Sequence, residues 1–209
     1  MYYVVDVITL FDREDYRQSW GSFANRLQQC PGFWRAELFE KDQDIRSAYY
    51  DFLVVYSFED SLAYEWALAH KLLPTSVQNQ KVERFTGQLE IQLEDLQESK
   101  PGHTWLINPF EISEAQIPDV LDMWDKAKDV MVSKPGFISA RLFRTDSAEG
   151  RFGLVNVAHW ASAGEFLAVL DSRAYDSHRE KSMNYKLHPS LCTQVDVVYK
   201  QDLPLVANG

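Results

Sequence analysis

The stretch Pro31-Gly-Phe-Trp-Arg-Ala-Glu-Leu-Phe-Glu-Lys-Asp42 recurs as Pro135-Gly-Phe-Ile-Ser-Ala-Arg-Leu-Phe-Arg-Thr-Asp146, at an offset of 104 residues and with seven of the twelve positions identical. Trp20 and Trp124 are separated by the same offset. Self-similarity at a fixed offset is the signature of a repeated structural unit. We therefore interpret the 209 residues as two copies of one folding unit rather than as one large domain.

Each copy carries the signals of four strands and two helices in the same order. Residues 2–10 and 105–112 are rich in β-branched and aromatic residues, which favour strands. An apolar stripe at helical spacing follows in each copy, and a Pro-Gly pair ends that helix because proline lacks a backbone donor. Further strands are predicted at 34–40, 49–58, 85–93, 137–144, 152–160 and 192–200, with the turn of the second hairpin at 146–150. The predicted order is β-α-β-β-α-β twice.

This order predicts an α+β fold of two ferredoxin-like repeats, each an antiparallel sheet with both helices on one face. Residues 52–56 are apolar on both sides of the strand, so the second face of the sheet must be covered as well. The other copy can supply that cover if the two repeats pack sheet to sheet. The predicted boundaries are 1–95 for the first repeat, 96–102 for a polar linker, 103–200 for the second repeat and 201–209 for a tail.

Composition and charge exclude several classes of partner. The chain has 21 basic and 31 acidic residues, a net charge of −10, and no basic stripe, which argues against nucleic acid. No apolar run reaches the roughly 20 residues of a membrane span, so no membrane partner is expected. Cys30 and Cys192 lie far apart with no CxxC pair, and the N-terminus lacks the features of a signal peptide. We expect a cytoplasmic protein with both thiols reduced and buried.

Four motifs of the second copy occur together in a fixed order. They are Ile107-Asn-Pro-Phe-Glu-Ile112, Lys134-Pro-Gly-Phe-Ile-Ser-Ala-Arg-Leu-Phe143, Val155-Asn-Val-Ala-His-Trp160 and Ser162-Ala-Gly-Glu-Phe166. This set of motifs resembles the antibiotic biosynthesis monooxygenase family. The resemblance implies a dimeric α/β barrel, which the two copies would form within one chain. The expected state is a monomer containing an intrachain pseudo-dimer, with a further homodimer left open.

The resemblance also implies an activity and a set of catalytic residues. The family's oxygenases are similar in placing an Asn and a Trp four residues apart on the third strand, a Tyr six beyond the Trp and an Arg at the end of the second helix. Asn156, Trp160 and Arg179 match that pattern, whereas Phe166 stands where the Tyr would be. The implied function is a cofactor-independent monooxygenase that oxidises an electron-rich aromatic, polyketide-type substrate with O2 to a quinone-like product.

The spacing of the pair has a physical reading of its own. Side chains alternate along a strand, so Asn156 and Trp160 share one face with only Ala158 between them. The amide can hold a substrate oxygen or dioxygen, and the indole can stack on an aromatic ring and donate one hydrogen bond. The alternative is that Trp160 belongs to the core and that Asn156 pairs with backbone. Predicted substrate-binding residues are Phe166, Asn108 and Phe137.

The first copy lacks this pair of polar residues. Val54 and Phe58 align with Asn156 and Trp160, and Tyr64 stands at the family's Tyr position. We therefore predict one competent cleft, in the second half, with the first half as its structural partner.

The histidines leave further alternatives open. The five histidines form no HExxH motif and no pairing with cysteine, so no metal site is predicted. His159 alternates with Trp160 and should face away from the cleft. His178 lies near the position at which haem-degrading relatives of the fold place their haem ligand, so a haem-binding or haem-degrading protein is one alternative. His178 as a cleft-lining base, or as a solvent-exposed residue, is another. A non-catalytic small-molecule binding or stress protein is the third functional class.

Overall fold

The structure is a computed structural model that describes residues 1–10, 13–146 and 151–201. Its elements are β1 Tyr2–Leu10, α1 Arg13–Leu27, β2 Phe33–Asp44, β3 Phe52–Phe58, α2 Ser61–Ala69, β4 Gln80–Leu93, β5 Thr104–Glu111, α3 Ile117–Val132, β6 Phe137–Thr145, β7 Leu154–Trp160, α4 Ala163–Leu170, α5 Asp176–Ser182, β8 Lys186–Leu187 and β9 Ser190–Tyr199. Each half runs strand, helix, strand, strand, helix, strand, and the second half adds α5 and β8. Most of the turn predicted at 146–150 lies outside the described residues. None of the helices described is long and apolar enough to cross a membrane.

Eight of the strands form a closed antiparallel barrel. The order β4-β1-β3-β2 in the first half is matched by β9-β5-β7-β6 in the second. The halves are joined edge to edge, because β2 pairs with β9 and β4 pairs with β6. The predicted α+β class and dimeric α/β-barrel type are confirmed. The edge pairing was not foreseen; it satisfies the backbone groups that open sheet edges would leave unpaired.

The Pro-Gly pairs of the repeated stretch have the turn geometry expected of them. Gly32 and Gly136, which follow α1 and α3, have φ values of +71° and +85°. A side chain is strained in this left-handed region, so glycine is the residue that fits. The second helix of the second half begins as predicted, since Ser162 Oγ accepts the N–H of Glu165 at 3.2 Å.

Apolar side chains form three clusters. One fills the barrel, and the other two lie between each half's helices and its strands. In the first half the space under the helices is occupied by large rings, including Tyr16, Trp20, Tyr56 and Phe58. Cys30 and Cys192 are buried free thiols, as expected.

A charged cluster crosses the barrel interior. The Glu37 carboxylate accepts hydrogen bonds from Arg141 at 2.6 Å, from Arg35 at 2.8 Å and from Gln194 at 3.1 Å. Glu37 is fully buried and Arg141 is 3% exposed. The two residues occupy equivalent positions of the repeated stretch, on β2 and β6, which stand on opposite sides of the barrel. The ion pair therefore ties the two halves together across the lumen.

A histidine pair lies beside this cluster. His159 is fully buried, stacks on Trp105 with ring centroids 4.0 Å apart, and shares a 2.8 Å hydrogen bond with His103. Burial, followed by the charge of His103, lowers the pKa of His159 from 6.5 to about 4. His159 is therefore neutral in the folded protein at physiological pH.

This shift predicts a loss of stability in acid. Between pH 6.5 and about 4 the unfolded chain binds a proton on His159 that the folded protein does not bind. As the pH is lowered across that window, the free energy of unfolding should therefore decrease, by up to about 1.4 kcal/mol per pH unit from this group. Urea unfolding at several pH values should show that the free energy of unfolding decreases more steeply with acidification for wild type than for His159→Phe. His70→Gln, at an exposed position, should retain the wild-type slope, and equal slopes in all three would contradict the prediction.

The seam between β4 and β6 depends on one glycine. A Cβ at Gly87 would lie 2.2 Å from the carbonyl oxygen of Arg144, whereas a Cβ at Gly21 on α1 would meet nothing within 4 Å. Gly87→Ala should therefore destabilise the protein by about 1–3 kcal/mol through overpacking. Gly21→Ala should stabilise it by about 0.5–1 kcal/mol, because alanine is the better helix former. Thermal unfolding of the two variants should show shifts of opposite sign, and a stable Gly87→Ala protein would rule out the close contact.

Candidate active site

A small apolar chamber opens between the sheet of the second half and the helices α3 and α5. Its volume is about 90 Å³. Its walls are formed by Leu93, Leu106, Asn108, Phe110, Met123, Trp124, Ala127, Lys128, Met131, Phe137, Ala140, Asn156, Ala158, Trp160, Tyr175, His178, Ser182 and Leu187. Below we call it the first chamber. Five of the seven residues predicted for the site line it: Asn156, Trp160, His178, Asn108 and Phe137.

Three buried polar atoms of the first chamber lack a partner. Asn156 Oδ1, Trp160 Nε1 and His178 Nδ1 make no hydrogen bond to any residue that the structure describes. Their side chains belong to residues only 7%, 1% and 9% exposed. Buried polar groups are normally satisfied, since an unmade hydrogen bond costs about 1–3 kcal/mol. Three such atoms in one chamber are the pattern expected where a polar ligand completes the hydrogen bonds.

Strand β7 positions two of these groups. Asn156, Ala158 and Trp160 alternate with residues that face the barrel, and the small Ala158 leaves room between the amide and the indole. Phe137 and Phe166 hold Trp160 edge-on, with ring centroids 5.5 Å and 5.4 Å from it. In the first half the residue that aligns with Ala158 is Tyr56, which fills the corresponding space.

The short helix α5 positions His178. Burial, followed by the charges of Lys181 and Lys126, lowers the pKa of His178 below its usual 6.5. The imidazole is therefore neutral at physiological pH and has one nitrogen free to accept a proton. Tyr175, one turn earlier, packs beside it with ring centroids 5.5 Å apart. Burial raises the pKa of Tyr175, so its phenol stays protonated.

A second chamber of about 300 Å³ adjoins the first. The two share Leu106, Asn108, Tyr175, Ser182 and Leu187. The remaining wall of the second chamber is formed by Ile45, Arg46, Phe166, Leu170, Asp171, Arg179, Met183 and Pro189. Ile45 and Arg46 come from the first half, so both halves contribute to this region.

Two predicted site residues lie in the second chamber only. Phe166 lines it and also contacts Trp160, with ring centroids 5.4 Å apart. Arg179 is exposed, pairs with Asp176 at 3.1 Å and donates to the carbonyl of Leu170. Consecutive residues on a helix point in different directions, so α5 turns His178 inward and Arg179 toward the rim.

Two residues, Tyr175 at the boundary of the chambers and Arg46 in the second chamber, were missing from the sequence-based prediction. Tyr175 stands in a polar stretch without helical periodicity, and Arg46 belongs to a loop of the other half, so neither carries a local signal. Asn108 was predicted, but its Oδ1 already accepts the backbone N–H of His188 at 3.2 Å. His159 points into the barrel, away from the first chamber, as expected. Among the described residues, no group of three potential ligands is arranged to hold a metal ion.

Comparison with known proteins gives matches at the level of structure only. No protein-family profile and no curated protein sequence matches the chain. An anthrone oxidase-like protein superposes with a TM-score of 0.76 at 13% identity, over 96% of this chain and 94% of its own. A candidate monooxygenase of Fusobacterium nucleatum superposes with a TM-score of 0.63 at 8% identity, over 97% of this chain and 95% of its own. A candidate monooxygenase of Lactobacillus acidophilus superposes with a TM-score of 0.61 at 11% identity, over 97% of this chain and 99% of its own. The chain is thus similar in fold to monooxygenase-like proteins of the dimeric α/β-barrel type.

Proposed function

We propose that the protein is a cofactor-independent monooxygenase that oxidises an electron-rich aromatic substrate, such as an anthrone or hydroquinone, with O2. The observation that carries the proposal is the first chamber, in which Asn156, Trp160 and His178 each present an unpartnered polar atom inside apolar walls. We further propose that the chain acts as a monomer, because its barrel closes within one chain.

The chemistry requires the protein to form and hold an anion. Neutral His178 takes a proton from the substrate, and the resulting enolate or phenolate carries the negative charge. The Nδ2–H group of Asn156 donates to the oxyanion or to the incoming dioxygen, its unpartnered Oδ1 accepts a hydrogen bond from a substrate hydroxyl, and Trp160 forms the wall on which the ring packs. Apolar walls strengthen these interactions because they exclude water.

The oxidation can be balanced without a cofactor. The anion transfers one electron to O2, and the substrate radical recombines with superoxide through a new carbon–oxygen bond. The peroxide anion so formed takes up the proton held by His178, and the resulting hydroperoxide loses its C–H proton and breaks its O–O bond. Water leaves, and the carbonyl of the quinone remains. One O2 is consumed and one water is formed per quinone. Phe166 supplies no phenol for the proton transfers, so we assign them to His178, with the protonated Tyr175 beside it as a hydrogen-bond donor.

Oxygen uptake tests the proposal directly. The purified protein should consume one O2 per anthrone converted, with no added flavin, haem or metal, and the rate should persist in excess EDTA. Anthrones are the first substrates to try, because the protein that superposes with a TM-score of 0.76 is an anthrone oxidase-like protein. An absence of turnover over a panel of anthrones and hydroquinones would refute the proposal. Tight binding of those aromatics without turnover would instead favour a non-catalytic binding protein.

A haem-binding function is the alternative suggested by the free Nδ1 of His178. The fit is poor, because the chamber beside His178 is about 90 Å³ and the 300 Å³ of the second chamber lie beyond Tyr175 and Leu187, so that neither chamber alone has room for a porphyrin next to the imidazole. A planar macrocycle would require α3 or α5 to move. Titration with hemin should therefore give no Soret band that depends on His178. A band that disappears in His178→Ala would favour the haem function over the one proposed.

A further inference from the structure

The second chamber contains a guanidinium group without a carboxylate partner. Arg46 lies in the loop between β2 and β3 and is half-buried. Its Nη1 lies 3.4 Å from Ser182 Oγ and 3.0 Å from Met183 Sδ, and its Nη2 lies 3.4 Å from the Ser182 carbonyl. Arg46 makes no ion pair with any carboxylate of the described residues. A charge that has lost part of its hydration without gaining a counter-ion is a costly arrangement.

The neighbouring charges leave Arg46 as the available cation. Arg179, which also lines this chamber, is already paired with Asp176 at 3.1 Å. Asp171 belongs to the same wall, but it is exposed and pairs with neither arginine. Both guanidinium groups act electrostatically on the phenol of Tyr175 at the boundary of the chambers. Arg46 is thus a cation with no carboxylate partner among the described residues, in a chain of net charge −10 whose overall field repels anions.

The sizes of the chambers indicate how a ligand would reach this cation. An aromatic system of several rings exceeds the 90 Å³ beside Trp160, so part of it must pass Tyr175 and Leu187 into the 300 Å³ of the second chamber. The two chambers together fall within the range of small-molecule sites. Most of the second wall is apolar, so Arg46 would meet the far end of such a ligand.

We propose that the second chamber recognises a carboxylate or similar anionic substituent on the aromatic ligand, and that Arg46, from the first half, is the residue that binds it. The inference rests on the proposed function only in taking an aromatic ring system to occupy the first chamber. It assigns a specificity determinant to the half of the chain that lacks the Asn and Trp pair.

The test is equilibrium binding of two stable quinones that differ by one carboxylate. Dihydroxyanthraquinone (danthron) and its carboxylated analogue rhein need no turnover, so binding is measured independently of catalysis. Tryptophan fluorescence quenching should show that wild type prefers rhein. Arg46→Gln should weaken rhein binding by about tenfold or more and leave danthron unchanged, since one charge-assisted contact is lost. Arg46→Lys should be intermediate, and rhein binding to wild type should weaken as salt is added.

Arg26→Gln is the matched control, because Arg26 is an exposed arginine on α1 that lines neither chamber. It should bind both quinones as wild type does. Equal losses for rhein and danthron in Arg46→Gln, unchanged rhein affinity in that variant, or no binding of either quinone to wild type would each overturn the inference. If selectivity for rhein depends on Arg46 while no anthrone is oxidised, the inference stands and the proposed oxygenase function fails.

Discussion

Asn156→Ala is expected to lower kcat for anthrone oxidation by about 100- to 1,000-fold, the usual effect of removing one preorganised group that binds a developing oxyanion. Asn156 is 7% exposed and its Oδ1 lacks a partner among the described residues, so no protein group holds the amide and its Nδ2–H donor can turn to the substrate oxyanion. Because the charge develops after substrate binding, kcat and kcat/KM should fall together while KM changes little.

Two further variants sharpen this measurement. Trp160→Phe keeps an aromatic wall against Phe137 and Phe166 but removes the unpartnered Nε1, so we expect a smaller loss than for Asn156→Ala. Asn25→Ala, an exposed asparagine on α1, should leave the rate unchanged. Oxygen uptake at saturating anthrone distinguishes the three. An unchanged rate in the combined Asn156→Ala and Trp160→Ala variant would show that the first chamber is not the reaction site.

The strands were largely predictable because their local signals agree with the barrel. The run at 2–10 is β1 as predicted, and its middle is buried on both faces, with Val5 and Val7 in the barrel and Val4 and Ile8 under the helices. Strand β4 begins at Gln80, five residues before the predicted start at 85. The prediction missed these five residues because most of them are polar. Arg84 is compatible with a strand there because it reaches Asp6 on β1 at 2.6 Å. That ion pair joins residues 78 positions apart, so no local pattern could indicate it.

The candidate site was predictable where one strand carries it. Alternation along β7 is enough to place Asn156 and Trp160 together, and the capping box at Ser162 fixes where α4 begins. The second chamber was not predictable, because it forms only when the loop containing Arg46 packs against the end of α5, 136 residues later. The direction of the Arg179 side chain likewise depends on where α5 begins. The sequence of α5 is polar throughout, so no pattern in it marks the start of the helix.

The ion pair inside the barrel should have the largest effect on stability. Glu37 accepts hydrogen bonds from Arg141, Arg35 and Gln194, and in Glu37→Ala both guanidinium groups lose their carboxylate inside the barrel. Removing one member of a buried pair costs about 3–5 kcal/mol, since the remaining charge is neither hydrated nor paired. The urea-unfolding free energy of Glu37→Ala should fall by that amount.

The comparison that isolates the buried charge replaces both members of the pair. The combined Glu37→Leu and Arg141→Met variant should be more stable than Glu37→Ala, because the more deeply buried guanidinium group is removed together with its carboxylate and apolar side chains of similar size replace both. Only Arg35, whose side chain is 19% exposed, is then left without the carboxylate. Asp122→Asn, which breaks an exposed pair with Lys126 on α3, should change stability little. If Glu37→Ala were no less stable than Asp122→Asn, the pair would not hold the two halves together. The halves would then depend on the β2–β9 and β4–β6 seams alone, and the combined variant would show no recovery.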